Sequence, residues 1–95
     1  MQASLNTFDL PEGFRPSPGD PLQEFLIINR AQPVAVNIAI LRRLDVMIIQ
    51  SLLVAAAEWR RRGLSFAITD ARSDLEQALR QIGVTDDLLA RRVSS

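Results

Sequence analysis

The side chains that could do chemistry in this chain are carboxylates, hydroxyls and guanidinium groups. The sequence has no Cys, no His, no Tyr and no Lys, so all 11 of its basic residues are Arg. A thiolate or amine nucleophile, an imidazole base, a thiolate or imidazole metal site and a disulfide are all excluded. Paired carboxylates occur as Asp86-Asp87, as Asp9 with Glu12, and as Asp70 near Asp74. Each pair falls in a turn or at a helix start, where acids serve as caps; an acid/base pair or a hard-cation site is the weaker reading. The four glycines, at 13, 19, 63 and 83, are isolated, so there is no glycine-rich phosphate loop. Arg42-Arg43 could meet a phosphate or an acidic partner, but a solvated turn is the stronger reading of the pair. No cofactor and no metal are expected. This alphabet favours binding over catalysis.

Eleven acids balance the eleven arginines, which removes the electrostatic pull towards nucleic acid or an anionic membrane. With 47% hydrophobic residues in 95, the expectation is one small folded domain over 1–95, with its core at about 5–84 and a helical tail over 85–95. The first ten residues lack a basic segment and an apolar run of signal-peptide length. The apolar stretch Val46 to Ala57 is shorter than the roughly 20 residues of a membrane span. Arg60, Arg61 and Arg62 after it read as cations at the negative end of a helix rather than as a surface anchor. A soluble cytoplasmic protein without membrane insertion is expected.

The elements that must position any site follow from pattern. Leu5 to Leu10 reads as a weak strand closed by Pro11 and Gly13. Arg15 to Pro21 carries three of the five prolines and is a loop. Asp20 as N-cap and Pro21 at the first helical position open a helix to about Ala31. Val34 to Leu41 is aliphatic except for Asn37 and reads as a buried strand. Asp45 suits an N-cap or first-turn position of the strongest helix, which runs to Arg62 and stops at Gly63. Ser65 to Thr69 alternates as a short strand. Ser73 with Glu76 predicts a capping box, opening a helix that buries Leu75, Ala78, Leu79 and Ile82. Asp86 to Val93 reads as a last short amphipathic helix. Alternation of strands and helices predicts an α/β domain whose sheet contains parallel neighbours joined by right-handed crossovers.

The middle helix is apolar on more than one face. At about 100° per residue, Val46, Ile49, Leu52, Leu53 and Ala56 form a core face. The opposite side carries Met47, Gln50, Ser51, Val54 and Glu58, flanked by Ile48 and Ala55. Met47, Ile48, Val54 and Ala55 are out of place on a solvated surface. Either neighbouring helices or the tail cover them, or the patch is a docking or dimer face. Trp59, near the helix end, is expected to pack against Phe66 or under the tail rather than to anchor an interface.

The segment Val36-Asn37-Ile38-Ala39, followed by Leu44-Asp45-Val46-Met47-Ile48-Ile49-Gln50-Ser51-Leu52-Leu53, resembles the STAS domain, the fold of anti-sigma-factor antagonists. It is similar to that family's aliphatic strand, short turn and Asp-Ser-Ser/Thr-Gly-Leu helix start. Gly63-Leu64-Ser65-Phe66-Ala67-Ile68 resembles its next strand, and Leu75 to Val84, closing on Ile82-Gly83-Val84, its last helix. Leu10-Pro11-Glu12 and the helix from Asp20 resemble its first strand and first helix. The resemblance covers most of residues 5–84 and implies a single STAS-like domain. Its sheet would be mixed, of about four strands, with helices mainly on one face.

The resemblance also implies a site. Family members dock a partner on the start of this helix, and a partner kinase phosphorylates a Ser or Thr two residues after the conserved Asp. Here that position is Met47; the one before it is Val46, the glycine position is Ile48, and Asn37 replaces the strand acid. A thioether accepts no phosphate, so the resemblance implies a binder without the usual switch. Ser51, one turn on, is the substitute acceptor to consider. The implied partner-binding residues are Asp45, Val46, Met47, Ile48, Gln50, Ser51 and Val54. The implied partner is a histidine-kinase-type ATPase, either an anti-sigma factor or a chemotaxis kinase. The alternative is an accessory subunit bound to the ATPase of an ABC lipid transporter, and a homodimer is also open.

Overall fold

In the computed structural model, which describes residues 6–43, 45–84 and 88–90, the elements alternate as expected. They are β1 (Asn6–Asp9), α1 (Pro21–Ile28), β2 (Val34–Asn37), α2 (Val46–Arg61), β3 (Phe66–Thr69) and α3 (Ser73–Gln81). The three strands lie in chain order and pair in parallel, with Phe8 opposite Val36 and Val36 opposite Ile68. The two-residue segment Leu89–Ala90 continues the sheet beyond β3, also in parallel. Every described pairing is parallel, so the expectation of a mixed sheet is corrected.

The register decides where the helices sit. Side chains alternate across a strand, so Phe8, Val34, Val36, Phe66 and Ile68 share one face. Phe25 of α1 packs on Phe8 with ring centroids 5.5 Å apart, and Trp59 of α2 packs on Phe66 at 6.0 Å. Leu75 and Leu79 of α3 belong to the same buried cluster. All three helices therefore cover one face, the outcome of successive right-handed crossovers running in one direction. Ala35 and Ala67 point to the opposite face, in register with Thr7 of β1.

Each helix start has its own chemistry. Asp20 is buried, and its two carboxylate oxygens accept from the Gln23 and Ser17 backbone N–H groups, both at 2.8 Å. The Gln23 side chain reaches back to accept from Gly19 N–H at 2.9 Å, completing a reciprocal cap. Asp20→Ala is expected to cost about 1–2 kcal/mol, lowering Tm by roughly 5–15 °C in a calorimetric scan. An unchanged Tm would show that water replaces both bonds.

Elsewhere the local structure departs from expectation. The Val34–Leu41 run is a strand only to Asn37. There the Asn37 side chain accepts from Ala39 N–H at 2.8 Å, an Asx turn that leads the chain out of the sheet. Ser73 lies inside α3, with Arg72 at the cap position and no side-chain cap bond, so the capping box is absent. Ile82 is 54% exposed beyond the end of α3 rather than buried. α1 ends at Ile28 instead of about Ala31. The expected helix over Asp86 to Val93 lies partly outside the described residues; its Leu89 is a buried strand residue pairing with Ile68.

Candidate functional site

The β2–α2 connection and the first half of α2 hold the implied partner-binding residues. Asp45 is the N-cap of α2 and accepts from Ile48 N–H at 3.2 Å. It is exposed, and its visible task is structural. Val46 and Met47 follow at the first two helical positions, 59% and 61% exposed. Gln50 is exposed, Ser51 is half-buried, and Val54 is 72% exposed. Ile40, in the turn before the helix, is exposed as well. Val46, Met47 and Val54 therefore stand on an accessible apolar surface with Gln50 among them.

Three side chains stand where the helical wheel did not put them. Ile48 is 2% exposed and Ala55 is 7%, so both belong to the core and neither is available to a partner. Val46, assigned above to the core face, is outside. The buried stripe is Ile48, Ile49, Leu52, Ala55 and Trp59, at spacings that keep one face of a helix towards the sheet. Leu53 and Ala56 are half-buried at its margin.

Trp59 fixes this rotation. Its ring meets Phe66 edge-on, and its Nε1–H donates to the Gln32 carbonyl at 2.7 Å, in the turn between α1 and β2. The Arg62 side chain donates to the Arg30 carbonyl at 3.0 Å in the same turn. Glu58 takes both Arg61 and Arg62 as partners. Arg61 first, and then Arg62, outweigh desolvation and hold the Glu58 carboxyl below its ordinary pKa. The arginine run is thus a helix end tied into its own turn, as the sequence suggests.

Asp9 and Glu12 are exposed on β1 and in the following turn. Asp70 is half-buried at φ 62, a left-handed conformation that Asp tolerates better than branched residues do, and Asp74 is exposed in the first turn of α3. Asp86 and Asp87 lie outside the described residues. Among the described residues no three Asp or Glu side chains gather where a metal ion could be held. Arg42 and Arg43 are exposed in the β2–α2 turn. A cavity of about 760 Å³ opens between α2 and the start of β3, lined by Leu53, Ala56, Leu64, Phe66 and Val84. Arg60 is the one charged residue among its described lining, so it assembles no acid–base pair. No described helix is long and apolar enough to cross a membrane. Comparison with protein-family models, with characterised proteins and with solved structures finds no match.

Proposed function

We propose that the chain is a non-catalytic regulatory domain of STAS type. Its partner is a histidine-kinase-type ATPase, an anti-sigma factor or a chemotaxis kinase, bound on the exposed start of α2. The observation that carries this reading is the exposure of Val46, Met47 and Val54 on one helix whose buried stripe is already complete. Apolar side chains gathered on an accessible surface mark a contact site, and an unbranched Met adapts to the surface it meets. The strand, turn and Asp-capped helix over residues 34–61 occur in the order that the family resemblance requires. Ile48 is excluded from the contact by its burial, and Asp45 contributes by holding the helix start in place. With Met47 at the usual phosphoacceptor position, binding is constitutive rather than switched by a kinase.

The test is capture of the ATPase on the tagged full chain, followed by titration of that purified ATPase. Met47→Asp sets a carboxylate in the contact and is expected to weaken binding by at least about 100-fold. Gln81→Ala, at the C-terminal end of α3 and so at the opposite end of the sheet, should leave it unchanged. Failure to retain an ATPase of this type, or equal retention by the Met47→Asp chain, would overturn the assignment.

A further inference from the structure

A second side of α2, beside its buried stripe, carries Leu53, Ala56, Ala57 and Arg60, at intervals that keep one side of a helix in line. It forms one wall of the cavity between α2 and the start of β3, with buried Phe66 and Val84 also in the lining. The two alanines, with Gly63 and Gly83, leave unfilled the space that longer side chains would occupy, about 760 Å³. Sites of roughly 300–1,000 Å³ take small molecules. Leu53, Ala56 and Leu64 are half-buried, so apolar surface stays open to an occupant. We infer that the cavity binds a monocarboxylic acid with a long apolar tail, the tail lying along Leu53, Ala56 and Phe66 and the carboxylate on Arg60.

The charge of the lining selects that occupant. Arg60, exposed in the last turn of α2, is the one charged residue among the described lining. A cationic head is therefore repelled and an anionic one drawn in. Arg60 is already engaged within the chain, yet a guanidinium has five N–H donors and offers a carboxylate a planar pair of them. A polyanion fits less well. α2 and α3 both end close to the cavity, whose lining includes Gly63 and Gly83 just beyond them. The negative ends of the two helix dipoles oppose more charge than one guanidinium offsets. A strongly polar ligand such as a sugar would lose its hydrogen bonds to water against a wall of leucine, alanine and phenylalanine.

The test needs only the purified chain and stands whether or not the ATPase reading does, since Val46 and Met47 take no part in the cavity. Trp59 is the only tryptophan and packs on Phe66 at 6.0 Å, so a bromine carried into the cavity quenches its fluorescence. Titration with dodecanoate brominated at its tail end is expected to quench saturably, with a Kd on the order of 0.1 mM, and plain dodecanoate should reverse the quenching. Dodecanol, with the same tail and no charge, should compete about tenfold more weakly. Arg60→Gln should bring the acid down to the level of the alcohol. Ala57→Phe fills the cavity from an exposed helical position; it should weaken both ligands by at least about tenfold with an unchanged far-UV spectrum. Quenching that does not saturate, equal competition by acid and alcohol, or undiminished binding by either variant would overturn the inference.

Discussion

Ile48→Asp is expected to abolish the cooperative unfolding transition, while Met47→Asp, one residue earlier, leaves the domain folded. Ile48 is 2% exposed, in the cluster formed by Val36, Ile38, Leu52 and Ile68. Truncating such a side chain costs about 2–5 kcal/mol, and a carboxylate buried without a partner costs several more. A domain of this size has roughly 5–14 kcal/mol in all, so the sum removes most or all of it. Met47 is 61% exposed at the second helical position. An acid there leaves no cavity and faces the positive end of the helix, where it contributes about 0.3–1 kcal/mol in favour of folding. Urea titrations followed by circular dichroism separate the two outcomes. A normal transition for Ile48→Asp would mean that α2 is rotated from the orientation described, and Met47 would lose its place on the surface with it.

The same pair of residues marks what the sequence could and could not convey. The order of strands and helices, the Asp20 and Asp45 caps and the packing of Trp59 on Phe66 were legible, because each rests on local chemistry or on one large side chain. The rotation of α2 was not. Aliphatic residues occupy most of its circumference, so the wheel has no polar side sharp enough to fix its phase, and the expected core face lies roughly 70° from the observed one at about 100° per residue. The signal that could have fixed it was Trp59 itself: Ile48, Leu52, Ala55 and Trp59 recur at intervals of four, three and four. The bond that holds Trp59 joins residues 27 apart in sequence and lies beyond any periodicity. At Asn37 the opposite error occurred. Its neighbours made a strand of eight by composition, yet its own side-chain amide oxygen supplies the turn that ends the strand after four. The candidate site inherited both effects. The wheel sets Met47, Gln50 and Val54 on one outward side, and all three are exposed; it sets Val46 inside and Ile48 at the edge of the outward side, and the structure reverses both.

Trp59→Ala is the second substitution expected to have a large effect, and it tests whether one residue holds α2 in register. The ring is 4% exposed between α2 and Phe66, so truncation opens a cavity worth about 3–5 kcal/mol. It also deprives the Gln32 carbonyl of the indole N–H it accepts, adding about 1 kcal/mol where water does not replace the bond. The sum lowers Tm by roughly 16–48 °C at 4–8 °C per kcal/mol for a small domain. Trp59→Phe separates the two contributions, since it keeps much of the packing against Phe66 and removes only the donor. It should cost about 1–2 kcal/mol. The consequence reaches the candidate site from its far end. Met47 and Val54 share the helix that Trp59 anchors to the α1–β2 turn, and freeing that anchor lets α2 turn towards its more uniformly apolar alternatives. Trp59→Phe should therefore lose more affinity for the ATPase partner than an equally destabilising change in β1, measured where both variants remain fully folded. Equal losses would show that the α2 surface is oriented by its aliphatic stripe alone.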